Sequence, residues 1–457
     1  MKYGTSGFRD KAEKIIDISN KIGLIICYLS LQNNLNYGIM ITASHNEYLD
    51  NGVKIVNYKG EMISSDEEEY IENYINGKLI ITKLPDILAP KTIFIGNDTR
   101  QSCLEIKKKI IEGIKNVTNI IKIIDYNFVS TPQHHYLVNR SSNNKFDYID
   151  KFKILNDLDL PTKNLLIDCA NGVGSIVLEN FNFKLINTDV NNYKLLNFKS
   201  GSDYVISENK LPENFIHNYI GCSLDGDADR YILYFYDDNE LKILDGDYIG
   251  ALYLYSLCKQ LEFIDGEYSI GYIHSPYTNS GLLDWIKEIN QTVNIVCTAT
   301  GVKNLHHEAL KYDVSVYFES NGHGTMLINN KDLLKNHYFK TFNLINNEIV
   351  GDGICGLFCV LYCLVTQNID CKIWYNFFTK KKSLLYKKKV KDKNLFVTNN
   401  IGNRLIEPIE LQNKLDYINL KYNCKSFIRP SGTEDLIRIY IEGNNYEAIK
   451  NEIDKMI

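Results

Sequence analysis

"IGCSLDGDADRYILYFY", residues 220–236, decides the fold of this chain. An apolar run leads into three aspartates at alternate positions, and a second run rich in aromatic and β-branched residues leads out. That pattern reads strand–loop–strand. In extended backbone every second side chain points the same way, so Asp225, Asp227 and Asp229 share one side, with only Gly226 and Ala228 between them. Three carboxylates on one side repel each other unless a cation sits among them. Hard oxygen ligands with no His or Cys suit Mg²⁺ better than Zn²⁺. The spacing lacks the glutamate of an EF-hand, which argues against a calcium sensor. The plain alternative is a solvated acidic turn; the strand-like flanks and small spacers favour a metal loop.

Outward from this stretch, apolar runs alternate with amphipathic ones. "YGIMITA" (37–43), "KTIFIGNDTR" (91–100), "IIKIIDY" (120–126), "NLLIDCANGVG" (164–174) and "YSIGYIHS" (268–275) read as strands. "SSDEEEYIENYI" (64–75), "EIKKKIIEGI" (105–114) and "GDYIGALYLYSLCKQL" (246–261) have helical spacing. "VSVYFESNGHGTMLI" (314–328) is again strand–loop–strand. Such alternation predicts an α/β protein, with ligands at the loops that follow strands. A chain of 457 residues leaves room for three or four domains at about 100–200 residues each. Polar stretches place boundaries that give domains 1–150, 151–245, 246–377 and 378–457, the last a smaller α+β unit. No close internal repeat is visible.

Apolar residues at 44% and charged residues at 23% are ordinary for a globular chain, and a net charge of −5 gives no general attraction to nucleic acid or anionic membrane. The basic run "KKKSLLYKKKVKDK" (380–393) reads as a solvated junction between domains. The N-terminus has no signal-peptide core, and no uninterrupted apolar run reaches about 18 residues. The 11 cysteines include no Cys-x-x-Cys pair and read as reduced thiols. Cys355, Cys359 and Cys363 recur with helical period and read as a buried helix face. The expectation is a cytoplasmic protein with neither membrane nor nucleic-acid contacts; its protein partners are not legible.

Other polar loops carry chemistry. "TASHNEYLDNGVKI" (42–55) gathers Ser44, His45, Asp50 and Lys54, without a Gly-x-Ser-x-Gly elbow. "RPSGTEDLIRIYIE" (429–442) sets Arg429, Ser431, Gly432, Thr433 and Arg438 around a permissive glycine, a composition suited to phosphate. Its tail alternates with period two, as a strand does. "ESNGHGT" carries Glu319, Asn321 and His323 in a loop compatible with a sugar or with ordinary turn chemistry. "TGVKNLHH" (300–307) adds Gly301 and Lys303, and its histidines lack a zinc pattern. Arg9 and Arg100 read equally as surface or site residues. His134 and His135 in "STPQHHYLV" read as packing.

In this order, the serine loop, the Asp-x-Asp-x-Asp-Arg loop, the glutamate loop and the Arg-Pro-Ser-Gly-Thr loop resemble the α-D-phosphohexomutase superfamily. "TASHN…DNGVK", "CANGVG", "TGVKNLHH" and "ESNGHGT" are most similar to its phosphoacetylglucosamine mutase branch. The resemblance implies four domains around a central cleft and reversible transfer between the 6- and 1-phosphates of N-acetylglucosamine. Glucose- or mannose-phosphate mutase is the enzymatic alternative, and an inactive sugar-phosphate binder the non-enzymatic one. By resemblance Ser44 carries the phosphoryl group. It completes, with Asp225, Asp227 and Asp229, the site of one Mg²⁺ per chain. Arg9, His45 and Arg230 hold phosphoryl oxygens, and Lys54 serves the sugar hydroxyl, with nearby cations lowering its pKa. Gly301, Lys303, Glu319, Asn321 and His323 meet the sugar. Arg429, Ser431, Gly432, Thr433 and Arg438 grip the phosphate that does not react. Glucose or N-acetylglucosamine 1,6-bisphosphate is the implied intermediate and activator. Two positions depart from the family pattern: Glu47 stands for a proline, and Asn97 for an arginine.

Overall fold

"YGIMI" is buried at every position, the signature of a strand covered on both faces. A computed structural model describes residues 1–4, 7–85, 89–158, 160–431 and 436–457. Its first sheet contains β1 (Phe8–Lys11), β2 (Tyr37–Ile41), β3 (Asp50–Val56), β4 (Thr92–Asn97) and β5 (Lys122–Phe128), in the order β1-β3-β2-β4-β5. β3 pairs antiparallel with β1 and β2, and β4 pairs parallel with β2 and β5. Alternate residues of β2 enter opposite cores. Ile39 and Ile41 pack with residues of helices Ala12–Asn33 and Cys103–Val117, whereas Met40 packs with Leu137 and Val138 of helix Thr131–Asn139. Each such fully buried side chain contributes about 1.5–3 kcal/mol. Helix Ala12–Asn33 is long and apolar enough to cross a bilayer by composition. Here Ile15, Ile22, Ile25 and Ile26 are instead buried in the sheet's core.

The second sheet contains β6 (Leu165–Asp168), β7 (Lys184–Ile186), β8 (Ile220–Leu224), β9 (Tyr231–Asp237) and β10 (Glu240–Leu244), in the order β10-β9-β8-β6-β7. Its pairings run antiparallel, antiparallel, parallel, parallel. The first sheet has the same succession, so a structural repeat exists where the sequence shows none. Helix Gly353–Gln367 buries Cys355, Cys359 and Cys363 as packing residues.

The third sheet contains β11 (Ile270–His274), β12 (Asn294–Cys297), β13 (Val314–Phe318) and β14 (Gly324–Ile328), in the order β12-β11-β13-β14. β11 pairs parallel with both β12 and β13. The connection from Phe318 to Gly324 is too short for anything but an antiparallel return. Next come β15 (Ser383–Lys389), a ribbon of β16 (Val397–Thr398) and β17 (Leu405–Glu407), then β18 (Lys425–Pro430) and β19 (Leu436–Glu442). The fourth sheet is β15-β19-β18, antiparallel throughout. Ile428, Ile437, Ile439 and Ile441 share a core with Leu415 and Ile418 of helix Ile409–Tyr422 and with Ile449 and Ile453 of helix Tyr446–Asp454. The α/β class and the α+β character of the last segment hold. By contact density the chain forms two compact units, residues 1–249, 321–325 and 331–369, and residues 250–320, 326–330 and 370–457.

Candidate active site

In the first unit, Ser44 lies in the loop joining β2 to β3, and the three aspartates lie in the loop joining β8 to β9. Ser44 is buried with φ at +53°, a conformation that costs a non-glycine residue about 1–3 kcal/mol unless its surroundings fix it. Its surroundings do. The Ser44 amide donates to Thr42 Oγ1 at 2.9 Å, and its carbonyl accepts from Arg100 Nη2 at 3.1 Å and Asn197 Nδ2 at 2.9 Å. Its hydroxyl donates to Asp225 Oδ2 at 2.7 Å. The two loops touch through Gly226, where a Cβ would stand 2.8 Å from the Ser44 carbonyl oxygen. Behind it, Gly172 of "CANGVG" leaves room for the Gly226 carbonyl, which a Cβ would meet at 2.4 Å.

Asp225 Oδ1 accepts from the amides of Asp229 at 3.1 Å and Arg230 at 3.2 Å. Asp227 Oδ2 accepts from Thr131 Oγ1 at 2.6 Å and Lys54 Nζ at 2.8 Å, and Asp229 Oδ2 from Lys54 Nζ at 3.0 Å. The other oxygens, Asp227 Oδ1 and Asp229 Oδ1, are shielded from water with no hydrogen-bond partner among the described residues. Ligand oxygens of the three carboxylates lie within 4.8 Å of one another. Burial, then Asp229 and Asp227, push the Asp225 carboxyl well above its usual range. Burial also opposes ionisation of Asp227, but Lys54 outweighs it and holds that carboxyl low. Two orphaned anionic oxygens, a crowded carboxylate set and an adjacent hydroxyl, all hard ligands, fit Mg²⁺.

Cations surround the cluster. Arg230 Nη1 donates to Asp203 Oδ1 at 3.1 Å, and its Nε lies 3.9 Å from both Asp225 Oδ2 and Asp229 Oδ1. Arg9 Nη1 donates to Asn46 Oδ1 at 3.2 Å, while its Nε and Nη2 are shielded without a hydrogen-bond partner among the described residues. His45 Nε2 lies 3.5 Å from Asp203 Oδ2, and burial with Arg230 and Arg9 nearby keeps its ring neutral. His323 Nδ1 lies 3.7 Å from Asp229 Oδ1, and its amide donates to Asn321 Oδ1 at 3.0 Å. The expectation for Lys54 is corrected. Burial favours the neutral amine, but Asp227 and Asp229 outweigh it, so the pKa is raised and the side chain is an ammonium.

The sequence left three supports of the loop unread. Arg100 is wholly buried, not a surface residue: it pairs with Asp98 and donates from Nε to the Asp50 carbonyl at 2.9 Å and from Nη2 to the Asn46 carbonyl at 2.6 Å. Asn197 Nδ2 reaches the same Asn46 carbonyl at 3.1 Å. Thr131, at the start of a capped helix, holds Asp227 from both its hydroxyl and its amide, the latter at 3.0 Å to the Asp227 carbonyl. The Thr-Arg spacing after β4 carried a signal for Arg100; nothing local marked Asn197. Asn97, the departure from the family pattern, accepts from Lys107 Nζ at 3.1 Å and donates to the Asp98 carbonyl at 2.8 Å, so it buttresses this support.

The second unit holds the other polar group. Gly301 has φ at +120°, and its amide donates to Glu319 Oε1 at 3.1 Å, which orients that carboxylate. Lys303, two residues on in the first turn of helix Val302–Ala309, is buried. Arg429 Nη1 donates to Thr300 Oγ1 at 2.7 Å. Arg429 on β18 stands directly opposite Arg438 on β19, a like-charged cross-strand pair that is unfavourable without an anion. Ser431 is buried beside them in sequence, and Gly432 and Thr433 lie outside the described residues.

A family model described as phosphoacetylglucosamine mutase AMG1, domain III, matches residues 245–369. Models described as phosphoglucomutase/phosphomannomutase, alpha/beta/alpha domain I and C-terminal domain, match residues 24–80 and 398–457. The chain is 32% identical to the phosphoacetylglucosamine mutase of Candida albicans, across 100% of this chain and 96% of that one. The crystal structure of an N-acetylglucosamine-phosphate mutase in its substrate complex superposes with a TM-score of 0.92 at 31% identity, covering 100% of this chain and 96% of that one. That of Aspergillus fumigatus N-acetylphosphoglucosamine mutase with GlcNAc-6P and magnesium gives 0.90 at 30% identity, covering 100% and 94%. With that identity along its whole length, the chain belongs to the phosphoacetylglucosamine mutase family, within the α-D-phosphohexomutase superfamily.

Proposed function

We propose that this chain interconverts N-acetylglucosamine 6-phosphate and N-acetylglucosamine 1-phosphate, supplying the 1-phosphate for sugar-nucleotide formation. The observation that carries the reading is the strained Ser44, its hydroxyl 2.7 Å from Asp225 Oδ2 beside two more carboxylates with orphaned oxygens. In the phosphorylated enzyme, the sugar's free hydroxyl oxygen attacks the Ser44 phosphorus, the bond to Ser44 Oγ breaks, and the proton lost by the sugar hydroxyl ends on Ser44 Oγ. The sugar leaves this step as the 1,6-bisphosphate and turns over in the site. Ser44 Oγ then attacks the other phosphorus and gives up that proton, and the sugar oxygen released there takes one from Lys54, which the proton from Ser44 replaces. The net reaction moves one phosphoryl group and restores phosphoserine.

Asp225, Asp227, Asp229 and the Ser44 side chain would hold one Mg²⁺, which when bound supplies charge neutralisation for the transferring group. Arg9 and Arg230 bring guanidinium charge to the same place, with His45 as a neutral donor. Lys54, held as an ammonium by two carboxylates, serves as the acid for the sugar oxygen that loses its phosphoryl group. Glu319 and Asn321 meet sugar hydroxyls, and His323 lies toward the reacting end. Lys303 and Gly301 flank the acetamido group. Arg429, Ser431, Gly432, Thr433 and Arg438 grip the idle phosphate. Glucose or N-acetylglucosamine 1,6-bisphosphate primes a dephosphorylated Ser44.

We also infer the four domains 1–150, 151–245, 246–377 and 378–457, since each contains one of the main sheets. Free cysteines are consistent with a reducing cytoplasm. The small-molecule substrate fits a chain whose net charge of −5 favours neither nucleic acid nor anionic membrane.

A coupled assay comparing N-acetylglucosamine 1-phosphate with glucose 1-phosphate tests the reading. A glucose substrate leaves acetamido partners unpaired, at about 1–3 kcal/mol per buried group. That corresponds to roughly 5- to 150-fold in kcat/KM. Equal or higher kcat/KM for glucose 1-phosphate would make the chain a general hexose-phosphate mutase. No turnover of either, with tight binding, would make it a binding protein.

A further inference from the structure

The loop after β11, "SPYTNS" at residues 275–280, has no part in the chemistry above. Two of its hydroxyls are withdrawn from water without a hydrogen bond of ordinary geometry among the described residues: those of Tyr277 and Thr278. Such groups are rare in folded proteins and call for a cause. Tyr277 is not loosely placed. Its ring packs on Phe427 at 5.2 Å and on Tyr440 at 5.6 Å, centroid to centroid.

Those contacts fix where the ring is. Phe427 stands opposite Tyr440, and Arg429 opposite Arg438, on β18 and β19. Residues two apart on a strand share a face, so the aromatic row and the guanidinium row are neighbours on one face of the sheet. Tyr277 sits on the aromatic row, with Arg429, Arg438 and Glu319 as its charged neighbours. Next along the guanidinium row, on β15, is Lys387. The Arg429 guanidinium is placed to donate to the Tyr277 oxygen, but a guanidinium cannot accept the hydroxyl's own hydrogen; an anion between the two guanidiniums would. The Tyr277 side chain is also the right kind of group, since burial raises its pKa and keeps the proton on at neutral pH.

We propose that Tyr277 binds the substrate phosphate that does not react, donating its hydroxyl hydrogen to a phosphate oxygen held by Arg429 and Arg438. The inference rests on the function proposed above. It explains why a buried hydroxyl is kept on a ring that phenylalanine would pack equally well.

Tyr277→Phe tests it, because the variant keeps both ring contacts and removes only the oxygen. The expected result is a KM for N-acetylglucosamine 1-phosphate raised about tenfold, the loss of one hydrogen bond to a charged group. kcat should change by less than about twofold, since the contact is made in ground and transition states alike. The melting temperature without ligand should be unchanged or higher, and the rise produced by N-acetylglucosamine 1-phosphate smaller. Calorimetric binding of the same compound reads the loss without turnover. An unchanged KM and binding constant, with or without a lowered melting temperature, overturns the proposal. Arg429→Ala is run beside it. If that variant binds the sugar phosphate as the parent does, the phosphate site itself is misplaced. If Arg429→Ala weakens binding and Tyr277→Phe does not, only the role of Tyr277 falls.

Discussion

Arg100 offers the sharpest test of how the Ser44 loop is held. Its buried guanidinium meets four groups: the Asp98 carboxylate and the carbonyls of Asp50, Ser44 and Asn46. Arg100→Lys keeps the charge for Asp98 but replaces a planar five-donor fork with a point charge on a shorter reach. At least two of the three carbonyls lose a charged donor. Hydrogen bonds to charged groups contribute about 1.5–3 kcal/mol each, which sets a range of roughly 3–6 kcal/mol. Asn197 still donates to the Ser44 and Asn46 carbonyls, at 2.9 and 3.1 Å, so the low end applies. About 3 kcal/mol would lower the melting temperature of a unit of roughly 150–250 residues by about 6–12 °C, so a shift at or below the low end of that range is expected for the larger unit that contains Arg100. The functional effect is separate. Ser44, released from its clamp at positive φ, relaxes toward ordinary backbone, and a displacement of about 1 Å at the reacting oxygen costs on the order of a hundredfold in kcat. KM should stay near its parent value, because the groups proposed to grip the idle phosphate are untouched. Thermal scans and the coupled mutase assay give both numbers. Wild-type melting together with wild-type kcat in Arg100→Lys would refute the clamp.

Ser44→Ala should abolish turnover, leave the melting temperature nearly unchanged and remove a mass of about 80 Da, one phosphoryl group, from the intact protein; retained activity would end the proposed mechanism. Asp227→Asn removes one of the three proposed anionic ligands. It should shrink the rise in melting temperature that added Mg²⁺ produces in the parent, and a full response would place the metal elsewhere. Asn197→Ala deletes one donor from two carbonyls that Arg100 still serves, so it should cost only about 1 kcal/mol while lowering kcat more than it raises KM. The opposite split would assign Asn197 to substrate binding.

The chemical groups were legible in the sequence because each lies in a short run whose composition has few other uses. Asp225, Asp227 and Asp229 share a loop, as do Ser44 and Lys54, and the structure brings those two loops together. The residues that hold the loops were not legible, because their partners lie far away in the chain. Asn197 meets Ser44 across 153 positions, and Thr131 meets Asp227 across 96. Asn197 has no local pattern that distinguishes it from any other polar residue in a turn, and the Ser130–Gln133 capping box marks a helix start at Thr131 without pointing to Asp227. The ionisation of Lys54 was misread for a related reason. The cations near it are obvious in the motifs, but its net shift depends on two carboxylates at 2.8 and 3.0 Å, a balance that only distances can settle.

The repeat hidden in the sequence explains why each of these groups sits where it does in its own sheet. In the first two sheets, one strand pairs parallel on one side and turns back antiparallel on the other: β2 with β4 and β3, and β8 with β6 and β9. In the third, β13 pairs parallel with β11 and turns back into β14. Ser44, the three aspartates and the Glu319–His323 segment therefore occupy the same turn in three copies of one arrangement. Arg429, too, lies on a strand that pairs antiparallel with the next one, β18 with β19. At such a turn the strand that enters is anchored on both edges by hydrogen bonds. The loop then begins and ends at fixed points about one strand spacing apart, roughly 4.8 Å. That rigidity is what a strained serine and three mutually repelling carboxylates require. The parallel crossovers, which run through helices, impose no comparable limit on loop length. Nothing in this scheme asks the strands themselves to keep their sequence beyond being apolar. The copies can therefore diverge until only the pairing pattern shows their kinship.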